Sequence, residues 1–439
     1  MRSKVILLAV LVLLLGVKDA AWATDFDDLF GGDLFVELEE DQGALSPAEA
    51  LLVQDGWDYG GNYRFSINAS RTFVEEVDPL DSFGASLGGQ LYLDARPDPN
   101  FRVFGKVGLN YAVNKQRGVS GNAPDPLRIS LQELFSDFNY DNQVFFRAGK
   151  QNVKWGVGYF FSPADVINIG RIDPLDPGAE REGPVALKTH YPRGSTNYYL
   201  YALLDGVSAA RDVALAPKME FVLGGTEIGL GGFYQRDKAP RAMATISSSL
   251  GDFAVFGEVV LSKGSDKGFV GATPFDYPVF KNDQLFLHLT AGARYSHSDP
   301  DGLFNLTAAA QYYYNGEGYR NQEDVQNFRK YYAFLAITNP QEAAKIQRTD
   351  LSSTGRHYLG AMVGWNNLLN TKLSASALLN ANLSDRSGTV TATLSLPSIS
   401  KISPSIGASF NYGDTATEFG GFARSTTVFA SVTLGSGSF

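Results

Sequence analysis

One segment of the sequence concentrates the charged side chains that a solute pathway would need. It spans 153–183 and contains Trp155, Asp165, Arg171, Asp173, Asp176, Glu180, Arg181 and Glu182. Its prolines stiffen the backbone, and its glycines permit tight bends. Charged groups at a narrow place in a water-filled pathway select among permeating solutes. We therefore expect 153–183 to fold inward as a constriction loop, and a loop that rests on the outer rim is the alternative.

A second set of charged residues lies at alternating positions, on the strand face opposite the apolar residues. The predicted inner-wall residues are Arg64, Arg96, Arg102, Lys106, Arg147, Lys188, Asp94, Glu133, Glu220 and Glu258. The basic members all belong to the first six predicted strands, whereas Glu220 and Glu258 belong to strands eight to eleven. Opposed charges across a narrow channel would orient permeating solutes. Ion pairs that only stabilise the wall are the alternative.

The motifs of catalysis and metal binding are absent from the sequence. There is no cysteine, and the four histidines match no metal-ligand spacing. There is no Walker loop and no H-E-x-x-H motif. Gly84-Ala85-Ser86-Leu87-Gly88 fits G-x-S-x-G in its letters, but it opens the predicted strand 84–96 and does not form the strand-to-helix turn that a nucleophile elbow requires. We predict no enzyme, no cofactor and no metal; a hydrolase built from His190 and Ser195 is an alternative. The net charge of −10 argues against a nucleic-acid partner, which would require a basic surface.

The N-terminus has the three parts of a secretory signal peptide. Arg2 and Lys4 supply the positive region, 5–16 is apolar, and Ala21-Trp22-Ala23 fits a cleavage site. We predict a signal peptide over 1–23 that is cleaved after Ala23, and an uncleaved anchor is the alternative. No later segment approaches ~18 uninterrupted apolar residues, so we expect no spanning helix in the mature protein.

Two-residue periodicity dominates the rest of the chain and predicts β-strands. In one example, Leu373, Ala375, Ala377, Leu379, Ala381 and Leu383 share one face, and Lys372, Ser374, Ser376, Asn380 and Asn382 share the other. A soluble sandwich also alternates. These strands, however, run for about 9–13 residues, which suits a tilted membrane crossing better than the usual ~5–6 residues of soluble sheets.

The strand pattern predicts an all-β, antiparallel transmembrane barrel of about eighteen strands, with sixteen as the alternative count. The predicted strands are 59–72, 84–96, 101–114, 128–140, 143–152, 184–191, 195–204, 216–223, 226–235, 241–250, 252–263, 285–297, 303–315, 355–366, 371–383, 388–396, 402–412 and 426–435. Short turns follow the even-numbered strands, and the longest connections, 153–183 and 316–354, follow odd-numbered ones. Short periplasmic turns that alternate with long outer loops are typical of outer-membrane barrels. A polar lumen inside an apolar wall also explains the mean hydropathy of −0.12.

The stretch that joins the fifth strand to its loop carries a family resemblance. It contains Gly149-Lys150-Gln151, Trp155-Gly156, Pro163, Asp165, Asn168 and Asp173-Pro174. This pattern resembles the strand-and-loop signature of porin-like outer-membrane families of DUF1302 type and, more distantly, the alginate-export-type eighteen-stranded barrels. The match covers about thirty residues, and Lys150 stands where the pattern usually has Arg. The resemblance implies an outer-membrane porin without indicating a substrate.

Three further segments have signals of their own. The acidic stretch 24–57 is either a mobile periplasmic tail, which its charge favours, or a plug inside the barrel. In the loop 316–354, Asn321 is predicted to cap a helix, and the helical loop either shields the mouth or binds an outside partner.

The terminal Phe439 resembles the assembly signal of outer-membrane barrels and so implies the assembly machinery as a partner. Its parity differs from that of Leu434, so either the last strand stops near 435 or a bulge at Gly435 or Gly437 resets the register.

Together these patterns predict an outer-membrane barrel over 58–439, in contact with lipid. The expected function is passive diffusion of small hydrophilic solutes through a charged constriction, in a monomer or a homo-oligomer. One alternative is a fatty-acid-type transporter of hydrophobic substrates with 24–57 as a hatch. The other is a surface barrel whose long loops bind an external ligand.

Overall fold

The computed structural model describes residues 56–438, apart from 76, 117–125, 170–171, 180, 272, 274, 300–304, 369–370 and 422–423. The predicted signal peptide 1–23, the acidic stretch up to residue 55 and the terminal Phe439 lie outside the described residues.

The described chain forms eighteen strands. They are β1 (Gly56–Val74), β2 (Val77–Asp98), β3 (Phe101–Gln116), β4 (Leu127–Tyr140), β5 (Val144–Lys150), β6 (Val185–Arg193), β7 (Thr196–Leu203), β8 (Ala214–Leu223), β9 (Thr226–Phe233), β10 (Arg241–Leu250), β11 (Phe253–Lys263), β12 (Leu285–Ser298), β13 (Asn305–Asn315), β14 (His357–Leu368), β15 (Leu373–Asn382), β16 (Ser387–Ser395), β17 (Ser403–Tyr412) and β18 (Ser425–Ser438). Each strand pairs antiparallel with its neighbours in sequence, and β1 closes the ring against β18. The predicted fold class and the count of eighteen strands are confirmed.

Side-chain alternation separates an apolar outside from a mostly polar inside. In β11, Val259 and Leu261 point outward and are 42% and 45% exposed, whereas Glu258, Val260 and Ser262 are buried on the inner side. Exposed apolar residues recur in this way on the outer face of the ring. Lipid offers no hydrogen-bond partners to the backbone, and a closed ring of strands leaves no edge unpaired. The outer face therefore suits the hydrocarbon layer, and the ring encloses a lumen.

The connections sort into a short-turn end and a long-loop end, as predicted. At the short-turn end, Asp141 and Asn142 form one tight turn with positive φ angles of 54° and 50°, and Gly224 and Gly225 form another. The long-loop end carries the connections 151–184 and 316–356. This arrangement matches the periplasmic turns and outer loops of outer-membrane barrels.

The first hairpin differs from the prediction, which left 73–83 as a loop. β1 and β2 instead pair almost to the tip, where Val74 faces Val77. Outside the ring, Arg71 Nε lies 2.7 Å from Asp81 Oδ1. These cross-strand contacts let the hairpin continue beyond its apolar stretch, because polar pairs also stabilise adjacent strands.

The last strand contains a bulge. Phe65 of β1 faces Gly435, but Ser66 faces Thr433, so Leu434 is the extra residue. β18 then continues to Ser438. A bulge therefore resets the register of β18, as one of the two predicted alternatives proposed, but it lies at Leu434, one residue before Gly435. The other alternative, a last strand that stops near 435, is wrong.

The long connection between β13 and β14 contains three helices. They are α1 (Gln322–Thr338), α2 (Pro340–Ala343) and α3 (Arg348–Leu351). The Asn321 side chain caps α1 by accepting a hydrogen bond from the backbone N–H of Glu323 at 3.2 Å, and Val325 and Phe328 are buried. Among the described residues, no helix has the length and apolar character needed to cross a membrane.

Candidate functional site

The connection 151–184, here called the lumen loop, runs through the interior of the barrel. It leaves β5 at Lys150 and returns to β6 at Val185. Its middle part bonds to the inner faces of β11 and β13. Because β13 lies eight strands from β5 in a ring of eighteen, these bonds carry the chain across the lumen. The part of the loop that makes these bonds, 157–164, thus lies inside the barrel and not on its rim.

Glu258 of β11 holds the lumen loop through its carboxylate. Its Oε1 accepts hydrogen bonds from the backbone N–H groups of Val157 and Gly158, both at 2.6 Å, and from Ser162 Oγ at 2.8 Å. Its Oε2 accepts from the backbone N–H of Ala164 at 2.9 Å. Hydrogen bonds to an ionised acceptor are roughly twice as strong as neutral ones, and they offset the removal of the carboxylate from water. Glu258, which was predicted to line the pore, is an anchor beneath the loop.

Gln311 of β13 provides a second anchor. Its Oε1 accepts from the backbone N–H groups of Tyr159, Phe160 and Phe161 at 3.0, 2.7 and 3.2 Å. Its Nε2 donates to the carbonyl of Phe161 at 2.6 Å and to Thr290 Oγ1. Two wall side chains therefore satisfy most backbone N–H groups between 157 and 164, which would otherwise be buried without partners.

Aromatic packing fixes the same part of the loop. Trp155 is buried and its Nε1 donates to Met243 Sδ at 2.8 Å, while Lys218 Nζ donates to the Trp155 carbonyl at 2.7 Å. Phe160 lies against Gly360 of β14, where an added Cβ would approach the ring Cγ to 2.5 Å. Close packing of this kind resembles a domain core. Among the described residues, the loop thus fills the lumen beside β6–β15, and no loop residue lines the cavity on the opposite side, here called the uncovered side.

Charged residues near the ends of the lumen loop pair with one another. Arg181 forms an ion pair with Asp165, and Asn168 Nδ2 donates to Asp165 Oδ1 at 2.8 Å. Lys150 Nζ at the base of the loop lies 2.6 Å from Glu182 Oε1. These pairs stabilise the conformation of the loop. The paired charges also partly neutralise one another within it.

The centre of the loop carries two close carboxylates. Asp173 and Asp176 form a tight turn in which the Asp176 N–H donates to the Asp173 carbonyl at 3.0 Å. Burial and the nearby Asp173 raise the pKa of Asp176. Burial also raises the pKa of Tyr159 to about 12, so its hydroxyl stays protonated at neutral pH. The predicted residues Arg171 and Glu180 lie outside the described residues.

All ten predicted inner-wall residues lie on the inner parity of the barrel. Four of them, together with Asp137, form a buried ladder of alternating charge. Arg102 Nε lies 2.8 Å from Asp94 Oδ1, and Arg102 Nη1 lies 3.2 Å from Asp137 Oδ2. Arg147 Nε lies 2.7 Å from Asp137 Oδ1, and Arg96 Nη2 lies 2.7 Å from Asp94 Oδ2. For these side chains the geometry is that of wall-stabilising ion pairs.

The other predicted wall residues differ in their surroundings. Glu133 accepts from the backbone N–H of Asn152 at 3.0 Å, at the start of the lumen loop. Lys188 Nζ lies 5.1 Å from the centre of the Tyr199 ring, within cation–π range. Glu220 pairs with Lys218 at 2.5 Å. Lys106 faces Glu133 across the β3–β4 pair, and Arg64 lines a cavity.

This cavity is on the uncovered side of the lumen and has a volume of about 800 Å³. Its lining includes Arg64, Arg128, Asn62, Gln90, Ser130 and Gln132, and comes from β1–β4 and β18. None of the described residues that line it is acidic. The cavity is therefore polar with a basic character.

Hydroxyl and amide side chains cover the inner wall from β15 to β18. Thr391 Oγ1 donates to Ser409 Oγ at 3.0 Å, and Thr389 Oγ1 donates to Asn411 Oδ1 at 2.7 Å. Asn411 Nδ2 in turn donates to Ser425 Oγ at 3.1 Å. This wall presents donors and acceptors of hydrogen bonds without formal charge.

Sequence reasoning missed Gln311 and Arg128. Gln311 occupies the inner parity of its predicted strand, so the alternation could have found it. Arg128 differs in parity from Glu133 on the same strand, and it faces inward because the β3–β4 register shifts opposite Lys106 and Val107. Their roles depend on which residues face them inside the lumen, and the alternation of a strand carries no information about those partners.

The comparisons with known proteins agree with the fold. No protein-family model matches the chain, and no relative was found among curated proteins. A crystal structure of Pseudomonas aeruginosa OpdK with vanillate is similar with a TM-score of 0.50 and 9% identity, over 87% of this chain and 99% of that one. Acinetobacter baumannii OccAB1 gives a TM-score of 0.49 and 12% identity, over 87% and 97%. At this identity the OpdK match shows a shared β-barrel fold, which agrees with the predicted fold class.

Proposed function

We propose that the protein is a passive outer-membrane channel for small hydrophilic solutes, narrowed by the lumen loop. The observation that carries this proposal is the pair of anchors, Glu258 and Gln311, which fix the loop across the interior. A barrel of eighteen strands is wide enough for an aqueous channel unless something fills it. The loop fills one side, so solutes pass on the other.

The uncovered side presents mostly polar side chains among the described residues. It is lined by β1–β4 with the basic cavity and by β15–β18 with the hydroxyl wall. Hydroxyl and amide groups replace part of the hydration of a passing solute, and weak, repeated contacts allow it to leave again. The solutes are therefore small and polar.

The basic cavity favours anions within this class. Arg64 and Arg128 bring two cationic guanidinium groups to its lining. A low-dielectric wall focuses their field into the path and raises the local concentration of anions. We expect anion preference without exclusion of neutral solutes.

Single-channel recording of the purified full-length barrel in a planar bilayer tests the proposal. Under a salt gradient we expect ohmic steps and a reversal potential that indicates anion preference. A correctly folded barrel that conducts no ions would contradict a channel function.

The alternatives have less support from the contacts. A transporter of hydrophobic substrates needs an apolar pocket and a lateral opening, but the cavity is polar and the strand pairing closes the ring. The hydrolase alternative requires His190 to meet Ser195, whereas His190 Nε2 lies 3.0 Å from Asn197 Oδ1. Membership in the DUF1302-type family, use of the assembly machinery, a homo-oligomer and cleavage after Ala23 stay predictions.

A further inference from the structure

The connection 316–356 between β13 and β14, here called the helical connection, bridges two distant parts of the long-loop end. The side chains of α1 contact the connection 264–284, which joins β11 to β12, and the connection 413–424, which joins β17 to β18. These two connections are six strands apart in a ring of eighteen. The helix α1 therefore extends over the outer mouth of the barrel from β12 to β17, and so over part of the hydroxyl wall.

Aromatic rings hold α1 on the side of β11 and β12. The ring centres of Phe328 and Tyr277 are 5.0 Å apart. The ring of Tyr331 meets that of Phe275 edge to face, with the centres 4.9 Å apart. Aromatic pairs of this kind bury large apolar surfaces, and their separation would expose those surfaces to water. We call this side of α1 the aromatic edge.

Arg329 holds α1 on the opposite side, towards β15–β18. Its guanidinium donates a hydrogen bond to the carbonyl of Ala416 at 3.1 Å, in the connection between β17 and β18. It also lies 3.9 Å from Asp385 Oδ2, in the turn between β15 and β16. Two further hydrogen bonds, to the Leu351 carbonyl at 3.0 Å and to Thr354 Oγ1 at 2.6 Å, stay within the helical connection. On this side, polar groups thus attach α1 to the barrel.

The site that receives Arg329 is built by groups outside α1. Glu418 accepts hydrogen bonds from Tyr358 Oη at 2.6 Å and from Asn382 Nδ2 at 2.7 Å. The backbone N–H of Glu418 donates to Asp385 Oδ2 at 2.7 Å. These groups belong to β14, to β15 and to the outer connections that follow β15 and β17. The receiving site would therefore keep its shape after α1 had left, which allows repeated release and return.

The two sides of α1 differ in what their separation costs. A hydrogen bond to a carbonyl is replaced by one to water when it breaks, so its net contribution to stability is small. Exposure of aromatic surface has no such compensation. The helical connection should consequently open at Arg329 and turn about the aromatic edge.

We propose that α1 is a lid over the outer entrance beside β15–β18, with Arg329 as its latch and the aromatic edge as its hinge. When Arg329 is bound to Asp385 and Ala416, the lid narrows the entrance above the hydroxyl wall. When Arg329 is released, the entrance widens. The effect on conduction rests on the proposed channel function, whereas the latch itself does not.

Thiol reactivity tests the latch in the full-length protein, which has no cysteine of its own. The reporter is Ala333→Cys, because Ala333 lies one turn after Arg329 on the same face of α1 and is only 8% exposed. With Arg329→Ala added, we expect a membrane-impermeant thiol reagent to modify this cysteine several-fold faster. Lys330→Ala removes the same charge from the exposed neighbouring position and should leave the rate unchanged. Equal rates with Arg329→Ala and with Lys330→Ala overturn the proposal.

A second reporter distinguishes release of the lid from loss of structure. Val260 of β11 is buried with Trp155 beneath the lumen loop, so Val260→Cys should stay unreactive with either substitution. A matching rise at Val260→Cys would mean that Arg329 only stabilises the barrel, and it also overturns the lid. If Arg329→Ala does not fold, Arg329→Lys replaces it. Lysine keeps the charge but offers fewer donors, so a smaller rise at Ala333→Cys is expected, and no rise refutes the latch.

Conductance in planar bilayers tests what the lid does. Arg329→Ala should conduct more than Lys330→Ala, and Lys330→Ala should match the natural protein. Faster modification of Ala333→Cys without any gain in conductance would show that α1 does not narrow the entrance. If no variant conducts, the channel function fails, and the modification rates still decide whether Arg329 is a latch.

Discussion

The inner faces of β8–β14 and of β15–β18 with β1–β4 enclose the same lumen but have different partners. The first, the covered half, bonds to the lumen loop through Glu258, Gln311 and Lys218. The second, the open half, presents hydroxyls, amides and a basic cavity to the interior. A polar side chain that points inward can therefore have either of two roles. In the covered half it holds the lumen loop, and in the open half it faces the interior along which we propose that solutes pass.

The largest effect should come from releasing the lumen loop from the covered half. In Glu258→Gln/Gln311→Ala, one acceptor oxygen becomes an amide that opposes the loop N–H donors, and three further N–H groups lose their acceptor. Buried unpaired groups cost ~1–3 kcal/mol each, so the loop should detach. We expect single-channel conductance to rise several-fold, because a detached loop would free the part of the lumen that it now fills. Glu227→Gln, an inner-face acid of β9, is the matched control and should conduct like the natural protein.

The next effect concerns the charge of the open half. Arg64→Glu/Arg128→Glu reverses the field in the cavity, so the reversal potential in a salt gradient should move toward cation preference. Arg128→Lys keeps the charge and should leave the potential nearly unchanged. An unaltered potential in the double variant would mean that solutes do not pass the cavity.

A third effect should appear in stability and not in selectivity. Asp137 accepts from both Arg102 and Arg147 and is fully buried. Asp137→Asn would leave two buried guanidinium groups short of a counter-charge, a loss of roughly 3 kcal/mol. The unfolding midpoint, read from the gel mobility of heated samples, should fall clearly. Asp81→Asn breaks the exposed Arg71–Asp81 pair, for which a loss of less than ~1 kcal/mol is expected; equal losses would refute the distinction.

The smallest effect should come from the hydroxyl wall. Thr391→Val removes one hydrogen bond to Ser409 between partly exposed groups. We expect a loss of less than ~1 kcal/mol and little change in conductance, since neighbouring hydroxyls continue the path. Thr391→Ser keeps the hydroxyl and is the control. A large drop in conductance from the valine alone would identify a specific binding site at this point.

The strands were predictable because alternation and turn residues are local properties. The pairing of Arg102 with Asp137 was not, since it depends on the register between β3 and β4 over 35 residues. Parity placed Glu258 inside the barrel, but its partners are backbone N–H groups about 100 residues away, which no side-chain pattern reveals. The close approach of Phe160 to Gly360 is likewise a tertiary contact between distant parts of the chain, which local alternation does not encode. The first hairpin was mispredicted because polar cross-strand pairs extend it beyond the apolar pattern.

Thiol accessibility in the conducting protein tests most directly the claim that solutes pass along the open half. Two variants each introduce one cysteine, Thr393→Cys and Thr245→Cys. Thr393 lies on the inner face of β16, and Thr245 lies beside Glu258 in the covered half. No other cysteine is present to react. A charged, membrane-impermeant thiol reagent should lower the conductance of Thr393→Cys and leave Thr245→Cys unchanged. If both react at the same rate, or only Thr245→Cys reacts, the path does not follow the open half and the account is wrong.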